Sequence, residues 1–375
     1  LTLYLDYNAT TPVHPEVLEE MITVYKEHFG NAGSRTHRFG QDASQIVEQA
    51  RRRVASLLGV EKHEVVFTSG ATEADNIAIL GLARWGAEQG RRHIISTQIE
   101  HKAILEPLQH LEKQGFEIEL VPVGQSGRID AGDLLRRVRP DTLMVSVMHA
   151  NNETGVIQPV DEIGAALSAT PTFFHVDAAQ TVGKLVPDLR ALKYDLLSVS
   201  AHKIYGPQGV GALIRRKKFR HVPVQPVSFG GGQEGGLRPG TVPVALVAGL
   251  GKAAELADRH HGEWRKHSAG VKASILEQLT AVRHVVNGDL DYSLPSCLNV
   301  SFPGVDSEAL MLATQNELAI SNGSACTSAE YRPSHVLVAM GLAKEFVEGA
   351  VRISWGSEIL VVDLRQLVQF VKNVQ

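Results

Sequence analysis

Cysteine is nearly missing from this chain: there are two in 375 residues, Cys297 and Cys326. Two thiols build neither a disulfide framework nor a cysteine-rich metal set, and their scarcity fits a reducing, cytoplasmic location. Long apolar runs are missing as well. None is long enough to span a bilayer, and the N-terminus lacks the pattern of a secretory signal, so no membrane partner is expected. The chain opens on Leu1 rather than Met, so residues are expected to precede it. Nor is there an excess of charge of one sign. With 37 Lys and Arg against 41 Asp and Glu, the net charge is −4, which argues against strong direct nucleic-acid binding by the whole surface, a local patch aside.

What is present is an ordinary α/β composition with 34 glycines, in a chain long enough for one large and one smaller domain. Continuous apolar runs at Val65, Ile94, Leu143, Phe173 and Leu196 read as buried strands, and helical spacing lies between them. That pattern predicts a mostly parallel sheet covered on both faces. Pro15 suits the first turn of a helix through Val17, Leu18, Met21 and Val24. Residues Gly30 to Gly40 read as a polar loop. Gln41 to Leu58 reads as a helix that Gly59 stops. Ser228 to Thr241 is a glycine-dense loop, and Pro243 to about His284 is strongly helical. His260 and His261 sit among Asp258, Arg259 and Glu263 on that helix, a solvated face rather than a metal site. Leu298 to Phe302 is a strand of the C-terminal part, with Cys297 packing at its start.

The chemistry-bearing residues fall just after the strands, where open α/β sheets bind ligands. Lys203 follows the Leu196 strand in Ser200-Ala201-His202-Lys203-Ile204-Tyr205-Gly206-Pro207, although lysine ordinarily belongs in solvent. About one αβ unit upstream, His175-Val176-Asp177-Ala178-Ala179-Gln180 ends a strand in an acid. A lysine amine and a strand-end carboxylate at this separation suit pyridoxal phosphate, whose aldehyde the amine engages while the carboxylate holds the ring nitrogen protonated. Ser69-Gly70-Ala71-Thr72-Glu73 turns the Val65 strand into a helix, and unpaired N–H groups there, Ala71 and Thr72 among them, could cradle a phosphate. His101 follows the Ile94 strand, as either an ordinary polar residue or a proton carrier. Asn151 and Asn152 follow the Leu143 strand, where an Asx turn would also explain them. Arg352 lies inside an apolar strand pattern, and a bidentate grip on a carboxylate would satisfy it. Cys326 sits in Gly323-Ser324-Ala325-Cys326-Thr327-Ser328, too small and polar to form a core, so an exposed thiol is expected.

These motifs together resemble the cysteine desulfurases related to NifS and IscS, within the aminotransferase class V family. The opening Leu5-Asp6-Tyr7-Asn8-Ala9-Thr10-Thr11-Pro12, the run Thr68-Ser69-Gly70-Ala71-Thr72-Glu73, and Pro333-Ser334-His335-Val336-Leu337 are all similar to it. The resemblance covers residues 3 to 356. It implies a fold-type I transferase with a seven-stranded, mostly parallel sheet and a smaller α/β C-terminal domain. The large domain would run over 13–255, and the small one over 1–12 with 256–375. It further implies pyridoxal 5'-phosphate on Lys203, Asp177 at the ring nitrogen, and His101 stacked on the ring as a proton shuttle. Ala71, Thr72, Asn152, Gln180, Ser200 and His202 would complete the cofactor site. Thr241 would reach the phosphate of a partner subunit, which makes the protein a homodimer with shared active sites. L-cysteine would be the substrate, with Arg352 and Asn152 binding it. Cys326, on a mobile loop, would take its sulfur as a persulfide, release alanine and deliver the sulfur to an acceptor protein.

The sequence departs from the family in places. Gly235 and Pro239 replace an Arg and a Ser in the glycine-dense stretch, and Tyr331-Arg332 replaces Leu-Glu. Arg332 either helps ionise Cys326 or is a plain surface arginine. The acceptor route stays open between iron–sulfur assembly, tRNA thiolation and DNA phosphorothioation. A selenocysteine lyase, another class V aminotransferase or lyase, and a docking scaffold for sulfur-transfer proteins are the alternative readings.

Overall fold

The computed structural model describes residues 2–216, 221–322 and 333–375. Its strands are β1 (Leu3–Tyr4), β2 (Val65–Thr68), β3 (His93–Thr97), β4 (Glu117–Val121), β5 (Thr142–Met148), β6 (Phe173–Asp177), β7 (Leu196–Ser200), β8 (Gly211–Arg215), β9 (Val285–Val286), β10 (Cys297–Ser301), β11 (Leu318–Ala319) and β12 (Ala350–Ser354). The α-helices are α1 (Pro15–Glu27), α2 (Arg38–Leu58), α3 (Ala71–Glu88), α4 (Lys102–Glu112), α5 (Ala131–Arg136), α6 (Val160–Leu167), α7 (Val186–Ala191), α8 (Val244–Leu279), α9 (Ser307–Thr314), α10 (His335–Ala339), α11 (Lys344–Glu348) and α12 (Arg365–Val374).

Seven strands form the main sheet in the order β2-β8-β7-β6-β5-β3-β4, with β8 antiparallel to both of its neighbours and the other pairs parallel. The expected mostly parallel sheet is therefore present, with β4 and β8 added to the five strands read from the sequence. Alternate residues of each strand point to opposite faces, so Phe174, Val176 and Leu197 enter one core while Phe173, Leu196 and Leu213 enter the other. A smaller sheet, β12-β10-β9, carries a separate core with Leu5, Val300, Phe302, Ile353 and Trp355. The two-stranded pair β1-β11 lies beside it.

Local chemistry sets the helix limits. Pro15 occupies the first turn of α1, and the His14 ring accepts from the Glu16 N–H. Gly59 ends α2 at φ 64°, in the left-handed region that glycine adopts cheaply. α2 starts three residues earlier than the expected Gln41, because His37 Nδ1 caps the Gly40 N–H and draws Arg38 to Gly40 into the helix. α8 is 36 residues long, and its two ends belong to different cores. Val247, Leu250 and Ala254 enter the main core, whereas Val271, Ile275 and Leu279 enter the smaller one.

Candidate active site

A cavity of about 350 Å³ opens beyond the carboxyl ends of the parallel strands. Lys203 enters it from a short 3-10 turn, Ala201–Lys203, that follows β7. Its ammonium donates to the carbonyl oxygens of Asn8 at 2.5 Å and Ala9 at 2.7 Å. The acceptors come from the N-terminal segment, which β1 and the Asp6–Ser354 bridge tie to the C-terminal part of the chain. Asp177 closes β6 with Oδ1 accepting from the Ala179 N–H at 2.9 Å. Burial pushes its carboxyl above the ordinary carboxylate range, opposed by that N–H and by the charges of His101 and Lys203.

The N-terminus of α3 forms the polar end of the cavity. Gly70 precedes it with no side chain to cap the free N–H groups, and Ser69, Ala71 and Thr72 line the space beside Ser200. Gly211 makes this arrangement possible. A Cβ there would lie 2.3 Å from the Val199 oxygen and 2.7 Å from Gly70 Cα, so only glycine lets β8 pass the turn.

His101 lines the cavity as the N-cap of α4, where its Nδ1 accepts from the Ala103 N–H at 3.1 Å. That contact reserves Nδ1 as the acceptor, so the neutral ring carries its proton on Nε2. Burial lowers its basicity, Asp177 restores part of it, and Lys203 and His335 lower it again. His202 is held neutral by burial and by Lys203, with a pKa of about 4, and its Nδ1 meets Thr10 Oγ1 at 3.1 Å. The adjacent asparagines divide their tasks. Asn151 builds an Asx turn, with Oδ1 accepting from the Glu153 and Thr154 N–H groups, whereas Asn152 lines the cavity. Gln180 donates to the Asn8 carbonyl at 2.9 Å and leaves its buried Oε1 unpaired among the described residues.

Arg352, 2% exposed, reaches the same cavity from β12. It donates to the Asn152 carbonyl at 3.0 Å and to Asp6 at 2.6 Å, and its buried Nε has no hydrogen-bond partner among the described residues. Thr241 is exposed and stands outside the cavity. Cys326, with Tyr331 and Arg332, lies outside the described residues. Just beyond them, Ser334 donates to the buried carboxyl of Glu153, and His335 Nε2 sits 2.9 Å from the Glu100 carbonyl.

The sequence matches the aminotransferase class-V family over residues 3–367. It is 44% identical over 381 residues to the cysteine desulfurase of Homo sapiens, spanning 100% of this chain and 82% of that protein. The chain belongs to the cysteine desulfurase family. Among solved structures, a NifS-like protein is similar with a TM-score of 0.90 at 38% identity, over 100% of this chain and 98% of that one. DndA from Streptomyces lividans is similar at 47% identity and a TM-score of 0.83, over 94% of this chain and 99% of that one.

Several cavity residues of this desulfurase-family chain carry no signal of their own in the sequence. Asn8 and Ala9 stand inside a recognisable motif, yet their carbonyl contact with Lys203 exists only once the N-terminal segment folds back onto the turn after β7. Asp6, the partner of Arg352, and Asp75, buried on α3, are equally silent. The glycine-dense stretch is better anchored than its composition implies. Glu234, φ 50°, pairs with Arg51 at 2.7 Å and accepts from the Phe67 N–H, and Arg238 meets Glu73 at 3.0 Å.

Proposed function

We propose that the chain is a pyridoxal 5'-phosphate-dependent cysteine desulfurase that converts L-cysteine to L-alanine and leaves the sulfur on Cys326 as a persulfide. The observation that carries this reading is the convergence of Lys203, Asp177 and the uncapped α3 N-terminus on one cavity. The residues fit the group. The free N–H groups of Ala71 and Thr72 suit its phosphate, with Ser200 and His202 beside them. Asp177 suits the ring nitrogen, and the unpaired Gln180 Oε1 and Asn152 suit the ring substituents. When bound, the cofactor supplies an electron sink for bonds broken at the substrate α-carbon.

Lys203 would hold the cofactor and carry a proton at Nζ. His101, on the cavity wall, would lie against the cofactor ring and offer its Nε2 proton. Arg352 orients L-cysteine by its carboxylate, with the unpaired Nε and the Nη groups forming the fork. The Cys326 thiolate attacks the substrate sulfur as the substrate Cβ–S bond breaks, and that bond's electron pair stays with the carbon skeleton, which is protonated to alanine. The persulfide sulfur is then handed to an acceptor protein. Thr241, exposed at the end of an anchored glycine-dense segment, serves the phosphate of a second subunit, which makes the active unit a homodimer.

Anaerobic incubation with L-cysteine, followed by intact mass and peptide mapping, tests the reading. One added sulfur on Cys326 with released alanine is the expected result. Bound cofactor with no added sulfur and no alanine would sink it.

A further inference from the structure

Close to Asp177 lies a second carboxyl that the proposed reaction does not use. Asp75 sits in the first turns of α3, is 1% exposed, and lines the same cavity. Asp177 and His175 occupy alternate positions of β6, so both side chains project toward the face on which α3 packs. His175 is held from both sides, with Nδ1 2.9 Å from Ser146 Oγ on β5 and Nε2 3.0 Å from Ser198 Oγ on β7. Asp75 Oδ1 stands 3.6 Å from His175 Nε2, too far for a hydrogen bond. Neither Asp75 oxygen makes a well-formed hydrogen bond among the described residues, and the Ser198 hydroxyl is within weak reach.

An ionised carboxylate in that place would be buried without a cation, and would face a second carboxylate at Asp177, with the Glu100 carboxyl, itself held protonated by burial, close by. His175 supplies no compensating charge, since burial drops its pKa to about 3. Burial and the Asp177 charge both drive the Asp75 carboxyl well above its ordinary range. The titratable groups facing Asp75 are His175 and Asp177 from β6 and Glu100 from the turn after β3.

We propose that Asp75 is a positioning residue that keeps its proton, so that the buried cluster behind the ring-nitrogen site carries one negative charge, on Asp177. A protonated Asp75 is a donor at the edge of the site, whereas an ionised one would compete with Asp177 for the proton the ring nitrogen needs. The link to the ring nitrogen rests on the cofactor reading above, while the proton on Asp75 stands on the packing alone.

The test uses the full-length protein, with Asp75→Asn as the isosteric neutral variant and Asp75→Leu as the apolar one. An infrared difference spectrum of cofactor-free wild type minus Asp75→Asn at neutral pH should show the carbonyl band of a protonated carboxyl. Its absence would overturn the proposal, whatever the cofactor does. In the loaded protein, the pH midpoint of the bound cofactor's visible absorbance should match wild type in Asp75→Asn and shift in Asp75→Leu. Equal midpoints in all three proteins would remove the positioning role. If Asp177→Asn also left the cofactor spectrum unchanged, the ring-nitrogen reading would fail separately, and the infrared band would still decide the proton on Asp75. Should Asp75→Leu not fold, Asp75→Asn still decides. A midpoint displaced in that variant would show that Asp75 acts as an anion, against the proposal.

Discussion

Arg352 shows how far one side chain is committed before any substrate arrives. Its guanidinium is shared between Asp6, the Asn152 carbonyl and the cavity. Lysine would keep the charge but lose the fork. Arg352→Lys should therefore raise KM for L-cysteine by roughly 10- to 100-fold, the equivalent of a charged hydrogen bond of about 1.5–3 kcal/mol. Steady-state kinetics on loaded enzyme would check it, and an unchanged KM would remove Arg352 from substrate binding. Glu100 makes a different prediction. Burial raises its carboxyl from 4.5 to about 8, against the hydrogen bonds from the Met148 N–H and Thr97. Between those values the unfolded chain ionises Glu100 and the folded one does not, so the wild type loses stability as pH rises through the window. Glu100→Gln lacks that loss. Its melting temperature should gain on wild type from pH 4.5 to 8, by an amount equivalent to at most roughly 5 kcal/mol. A constant gap across that range would contradict it.

At the level of elements, the strands were legible where burial on both faces made them continuous apolar runs, as at Leu143 and Leu196. β4 was not, because Glu117 and Leu120 are exposed at the sheet edge and the run alternates with glutamates. β8 opens on Gly211 and ends on Arg215, which masks it as a turn. The strand-end residues of the cavity were readable because motif and strand coincide. Asp6 and Asp75 were not, since their roles depend on contacts across 346 positions for one and on a facing strand for the other. Two substitutions probe the elements themselves. Gly211→Ala forces a Cβ into the Val199 carbonyl and the Gly70 turn, and should cost about 1–3 kcal/mol of stability and weaken cofactor retention. Thermal melting and equilibrium dialysis would measure both. Glu234→Ala takes one carboxylate from Arg51, which keeps Glu48 and the Val65 carbonyl, and leaves the Phe67 N–H unpaired, so it should cost about 1–3 kcal/mol. A melting temperature equal to wild type would show that the glycine-dense segment is held by other contacts.

For the whole molecule, the proposed homodimer has a sharp genetic signature. If Thr241 serves the partner's phosphate site, Lys203→Ala subunits mixed with Thr241→Val subunits should regain activity, because one site of each mixed dimer then has both residues intact. Activity no greater than the sum of the parents would place Thr241 in its own subunit or in neither site.

The junction of the two chain ends has a consequence for biosynthesis. Asn8 and Ala9 hold Lys203, while β1 pairs with β11 and Asp6 with Arg352. The Asp6–Arg352 pair can therefore form only after β12 has been synthesised, later than the Lys203 contacts in the same corner. A chain truncated before β12 would keep the Lys203 and β11 contacts of this segment but lose Arg352, the partner of Asp6, and Ser354, which bridges to it.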